Sequence, residues 1–227
     1  MNLTAKALMK EFPRKSGSAN CFTVLQPLDL TIDAGKLTVL MGRSGSGKST
    51  LLNILGGLLR PTDGKVLAGE ADLYEMPDKA LSAFRNRHIG IIPQGQTALY
   101  SLTVEENILL PVTLTGKADD AAKQRVQTLA KALEITALLG CYPAELSGGE
   151  LRRMAIARAL LPQPEILLAD EPTSDLDEET TQLVLRILKE AAAQGSAVLM
   201  VTHDPCAKEF ADILHSMRNG VIAADAE

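Results

Sequence analysis

Tryptophan is absent and aromatic residues make up only 3% of the 227-residue chain, so it offers no stacking platform of the kind that grips single-stranded nucleic acid. Positive charge is short as well. The formal net charge of -5 leaves no basic groove for a phosphate backbone, and nucleic acid is not an expected partner. No run of 18 apolar residues occurs, so nothing in the sequence reads as a membrane-spanning helix. The first ten residues alternate polar and apolar and lack the unbroken apolar core of a secretory signal. Cys21, Cys141 and Cys206 are scattered without metal-ligand spacing, and their odd number fits a reducing cytosol. Cys206 stands near His203, but no third residue orients the two as a nucleophile and base. Long-period repeats and low-complexity segments are missing too.

What is present is apolar material, 46% of the residues, enough for one substantial core and a second small lobe. The stretch that organises it is Gly42, Arg43, Ser44, Gly45, Ser46, Gly47, Lys48, Ser49 and Thr50. A short strand of β-formers over 36–41 precedes it and an apolar helical run over 51–55 follows. The spacing G-x-x-x-x-G-K-[ST] is therefore met in a strand-loop-helix context, which makes it a P-loop. Glycines there allow left-handed dihedrals, so successive N–H groups turn inward around a polyanion. The following helix adds the positive end of its dipole. Lys48 is expected to reach the β- and γ-phosphates and the Ser49 hydroxyl to ligate Mg2+.

Along the chain, the sequence predicts an edge strand over 3–12, a loop over 13–18 and a strand over 28–32. After the P-loop come a turn over 60–64, a strand over 65–67, a helix over 77–87 and a strand over 89–92 that runs into a loop at 93–96. Helical spacing then dominates, with helices expected over 104–110, 119–139 and 151–161. The wholly apolar run 166–169 suits a central parallel strand. A helix over 178–193, a strand over 197–201 and a closing hairpin around Asn219 and Gly220 complete the pattern. The expected fold is α/β: one domain over 1–227 with a P-loop core of mainly parallel sheet, an N-terminal antiparallel region and an inserted helical lobe. The core lobe takes about 1–93 and 162–227, the helical lobe about 94–161, with joints near Gln94 and near Pro162.

Asp170 and Glu171 end the apolar strand. Adjacent carboxylates there are costly unless a cation or donor receives them, and a P-loop supplies both. Asp170 is expected to hold Mg2+, and Glu171 to polarise a water attacking the γ-phosphate. At 146–150, Ser147 caps a helix opened by Gly148, Gly149 and Glu150, a second anion nest.

With L-S-G-G-E added to the P-loop, the Asp-Glu pair and His203, the chain resembles the ATP-binding subunit of an ABC transporter, over nearly its whole length. The resemblance implies that Gln94 is the glutamine that contacts Mg2+ and the attacking water, Glu171 the catalytic glutamate and His203 the sensor of the γ-phosphate. Residues 174–177 resemble the loop that crosses to a partner subunit. Phe12 falls where the family places an aromatic that stacks on adenine; it lacks a tyrosine hydroxyl but keeps the ring. Arg43 replaces a more usual proline, and Glu150 a commoner glutamine. The family also implies a homodimer, or a paired ABC subunit, that sandwiches ATP between the P-loop of one copy and Ser147, Gly148, Gly149 and Glu150 of the other. An integral membrane permease is the implied partner, holding the chain on the cytoplasmic face of the membrane; the segment 97–101, apolar and hard to bury in a loop, is read as a contact for it. Wording over 81–90 and 102–108 is most similar to the subgroup serving lipoprotein release, macrolide export and cell division. A soluble ABC-type clamp in DNA repair or translation is the alternative function; it lacks support from a coiled-coil insertion or a second ATPase domain. A P-loop kinase or GTPase would not need the second nest or His203.

Overall fold

Two sheets share the apolar residues between them, in a computed structural model that describes residues 1–14, 21–95, 97–116 and 118–224. The first sheet is antiparallel, in the order β2 (Cys21–Ile32), β1 (Leu3–Pro13), β4 (Asp63–Ala68) and β5 (Ala71–Asp72), so the edge position expected of residues 3–12 is corrected: β1 pairs on both sides. β1 buries Leu3, Ala5 and Leu8, and the alternation slips by one residue at Ala7, where φ is 47° and the pairing to both neighbours is bulged. β2 begins seven residues before the sequence expectation. Its first residues are mostly exposed and Pro27 interrupts the pattern, which an edge strand tolerates because its outward N–H needs no partner. The loop expected over 13–18 lies largely outside the described residues, as does Gln96.

The second sheet has the order β10 (Val221–Ala224), β9 (Ile213–Arg218), β3 (Leu37–Met41), β8 (Ala197–Thr202), β7 (Ile166–Asp170) and β6 (Ile89–Ile92). Every neighbouring pair is parallel except the terminal hairpin of β9 and β10. That hairpin turns through Asn219 and Gly220 with φ of 49° and 76°, the mirror-image turn that suits the twist of a ribbon. A Cβ on Gly220 would sit 2.3 Å from the carbonyl oxygen of Val24, so the hairpin lies directly on β2.

Alternate side chains of the central strands feed opposite cores. Leu37, Val39, Leu167, Ala169, Val198 and Met200 face one layer, while Leu40, Ile166, Leu168, Leu199 and Val201 face the other. The second layer holds α1 (Lys48–Leu55), α2 (Asp78–His88) and the antiparallel sheet. In the first layer lie α3 (Val104–Thr113), α4 (Asp120–Ala132), α5 (Gly148–Leu160) and α6 (Glu178–Ala193). The single helix expected over 119–139 is thus corrected: Leu133 ends α4, Glu134 adopts φ 56°, and a 3-10 turn, Thr136–Leu138, follows. Leu133 and Ile135 are both fully buried, and the left-handed residue between them keeps both in the core.

Candidate functional site

Parallel pairing puts the carboxyl ends of β3, β8, β7 and β6 on one edge, the place where open α/β sheets receive ligands. Gly42 follows β3, His203 follows β8, Asp170 ends β7 with Glu171 next after it, and Gln94 lies two residues beyond β6. Residues far apart in sequence therefore converge because each terminates a strand.

The loop from β3 to α1 is tight. Gly47 caps α1 at φ 107° without a side-chain cap, which leaves the first helical N–H groups open. A Cβ on Gly42 would meet Met217 O at 2.6 Å and Ser46 Oγ at 2.8 Å, so the backbone passes there only as glycine. Lys48 is buried and donates to Gly42 O at 2.6 Å and Arg43 O at 3.3 Å, which curls its chain back over the loop. Its Nζ also lies 3.6 Å from Glu171 Oε1. A cavity of about 320 Å³ opens here, lined by Ser44, Gly45, Gly47, Lys48, Ser49, Thr50, Gln94, Glu171 and Val24. A larger cleft of about 670 Å³ also borders this loop and is lined by His203, Arg43, Lys208 and Arg218.

Glu171 is buried at φ 48°, a backbone region costly for a residue with a Cβ. Its N–H donates to Val201 O at 2.9 Å. The carboxylate Oε2 accepts from Thr202 Oγ1 at 3.0 Å and from His203 N at 3.3 Å, and His203 Nδ1 lies 3.0 Å away. Thr202 is fully buried and also accepts from Asp204 N, while Asp204 accepts from Thr173 Oγ1. The sequence reading assigns this collar of Thr173, Thr202 and Asp204 no role of its own; its only signal is position beside the predicted site residues.

Asp170 is also buried, and burial pushes its carboxyl above the ordinary value, against the hydrogen bond from Ser49 that pulls it down. Its Oδ1 has no hydrogen-bond partner among the described residues. A desolvated carboxylate oxygen left unpaired beside a serine hydroxyl is a hard-oxygen donor set, and it fits Mg2+. Ser49, Asp170 and Gln94 are the residues that would hold it; the cation would supply charge neutralisation at the phosphates.

Other expected residues lie apart. Ser147 caps α5 in a full capping box, with Glu150 Oε2 accepting from Ser147 N and Oγ at 2.7 Å each. That segment, including Gly148 and Gly149, does not line the P-loop cavity of its own chain. Phe12 pairs with Phe22 across β1 and β2, rings stacked 5.9 Å apart, with Lys10 Nζ 4.9 Å from the Phe12 centroid. It too stands outside the cavity lining, and Phe22, 43% exposed, is an aromatic face the sequence reading passed over. Cys206 is not a nucleophile: the ring of His203 is turned to Glu171, and Asp204 holds the thiol pKa up.

The ABC transporter family model matches residues 25–174. The lipoprotein-releasing system ATP-binding protein LolD of Chromohalobacter salexigens is 40% identical over 90% of this chain and 86% of its own. The ABC transporter ATP-binding protein YtrE of Bacillus subtilis is 38% identical over 92% and 90%. The macrolide export protein MacB of Rhodopseudomonas palustris is 40% identical over 97% of this chain, which spans 33% of MacB. Among solved structures, the ATP-binding cassette MJ0796, as a post-hydrolysis dimer with ADP and Pi, superposes with a TM-score of 0.90 at 30% identity over 99% of both chains. The chain belongs to the ABC transporter family, as an ATP-binding subunit that hydrolyses ATP to power a membrane transporter.

Proposed function

We propose that two copies of this chain, or one copy and a paired ABC subunit, close around Mg2+ and ATP to drive an integral membrane permease from the cytoplasmic face. One observation carries the reading: the second anion nest, at the start of α5, has Ser147 and Gly148 exposed and is absent from the P-loop cavity of its own chain. The nest finds a phosphate only on another copy. In this arrangement Gly42, Ser44, Gly45, Gly47, Lys48 and Thr50 ring the phosphates, and Phe12 packs on adenine. Ser147, Gly148, Gly149 and Glu150 come from across the interface. Charge-assisted hydrogen bonds worth roughly 1.5–3 kcal/mol each then favour closure only while the γ-phosphate is present. Glu171 accepts a proton from the attacking water, and His203 senses the γ-phosphate. The work is of the export or mechanical type; similarity to the lipoprotein-releasing LolD and the macrolide export MacB supports the export side. The soluble clamp of DNA repair or translation is not favoured.

No helix among the described residues is long and apolar enough to cross a membrane, so coupling needs a docking surface. The segment after Gln94 provides one. Buried Asn107 clamps its backbone, accepting from Leu99 N at 2.8 Å and donating to Leu99 O at 3.0 Å, which leaves the side chains of Leu99 and Tyr100 45% and 56% exposed. A groove of about 270 Å³ runs between β6, α3 and α5, lined by Ile91, Leu110, Pro111 and Ala159. The core lobe, about 1–93 and 162–227, carries the P-loop nest and the helical lobe, about 94–161, the second nest, with joints near Gln94 and Pro162. Detergent extraction with the membrane partners retained tests the coupling. The wild-type chain is expected to bring down an integral membrane protein, and Leu99→Glu to lose most of it with ATP binding unchanged. Full recovery with Leu99→Glu would assign the segment to internal packing.

A further inference from the structure

Arg152 lies on α5, five residues after the cap Ser147, yet its guanidinium reaches two other parts of the site. Nη1 donates to Pro93 O at 2.6 Å, and Nη2 to Gln94 O at 2.6 Å and Ser174 Oγ at 3.1 Å. The Ser174 hydroxyl in turn donates to Glu171 O at 3.0 Å, and Ser174 N to the same carbonyl at 3.2 Å. Glu171 holds a left-handed φ that persists only where its surroundings over-determine it. Its carbonyl is one of the groups so held, and Arg152 fixes the serine that holds it. The same fork grips the backbone on which Gln94 stands, and Gln94 lines the P-loop cavity. Asp170, Glu171 and Asp175 are the carboxylates whose charge acts on the guanidinium. A planar fork serves three acceptors in fixed directions, which a point charge cannot. On the same helix Arg158 donates to Thr97 O at 2.8 Å, so α5 grips this segment on both sides of residue 96.

We infer that Arg152 is a positioning residue for ATP hydrolysis, which ties the helix of the second anion nest to the Gln94 loop and to the turn that aims Glu171. It touches neither phosphate nor attacking water. Movement of α5 is thereby transmitted to both groups beside the γ-phosphate. The inference rests on the reading of Glu171 as the base.

The test is steady-state ATPase of the full chain with nucleotide affinity and thermal melting measured beside it. Arg152→Ala is expected to lower kcat about tenfold, with Kd and KM for ATP within about twofold, because the P-loop nest is intact. Arg152→Lys, which keeps charge and donors, recovers part of the rate and serves if the alanine variant does not fold. Adding Ser174→Ala to Arg152→Ala costs less than Ser174→Ala alone, since both act on one carbonyl. An unchanged kcat in Arg152→Ala overturns the inference. So does a loss of rate matched by an equal loss of affinity with lowered melting, or effects of the two substitutions that simply multiply. Glu171→Gln is run in parallel. If it still turns over, the base assignment itself has failed; if it is inactive while Arg152→Ala is normal, only the positioning role has.

Discussion

Glu171→Gln is expected to bind ATP at least as tightly as the wild type and to hydrolyse it about 100-fold more slowly or worse, the usual contribution of a positioned general base. The geometry explains both halves. The glutamine amide fills the same buried space and still offers an oxygen to Thr202 Oγ1 and to His203 N, so the collar survives. What disappears is the acceptor for a proton from water. Loss of the carboxylate also removes the ion pair that holds Lys48 Nζ at 3.6 Å, which frees the lysine for phosphate. Single-turnover hydrolysis with binding by calorimetry reads the two separately. Wild-type turnover would remove Glu171 from the chemistry.

Lys48→Ala has the opposite signature, a loss of nucleotide affinity before any loss of chemistry. In the described structure Lys48 is committed to Gly42 O, Arg43 O and Glu171, all within 3.6 Å, so it is already folded over the phosphate nest. Replacing those contacts by phosphate oxygens keeps the ammonium satisfied, whereas alanine leaves the phosphates a donor short. One charged hydrogen bond lost is roughly 1.5–3 kcal/mol, or about 10- to 150-fold in Kd. The substitution also strands Glu171, a buried carboxylate without its cation, so a lower melting temperature is expected as well. Calorimetry that returns wild-type affinity would contradict the phosphate role of this loop.

Much of the site was readable because its key groups are consecutive. Gly42 to Thr50 carry their whole geometry in one stretch, and the apolar run 166–169 announces both its burial and the carboxylates that end it. The hairpin at Asn219 and Gly220 was readable for the same reason, since two adjacent residues specify its dihedrals. Partners fixed only by tertiary pairing were not readable. Thr202 meets Glu171 because β8 lies beside β7, and Arg152 meets Pro93 and Ser174 because α5 crosses two loops. No local pattern marks an arginine that will serve carbonyls 59 and 58 residues away. The long form of β2 was hidden by exposure, which removes the apolar alternation that reveals a strand. At Glu134 the helical pattern continues in the sequence, and burial of Leu133 and Ile135 overrides it. The stacking of Phe12 on Phe22 likewise comes from cross-strand pairing that sequence spacing does not display.

The proposed closure needs a second copy because the nest at Ser147 is absent from the lining of the phosphate cavity in its own chain. The mass of Glu171→Gln by light scattering, with and without ATP and Mg2+, tests this most directly. The account predicts 24.2 kDa without nucleotide and twice that with it, and a Ser147→Arg change on the same background that binds ATP yet stays at the lower mass. A mass of one chain at every concentration, with ATP shown to be bound and the permease present, would contradict it.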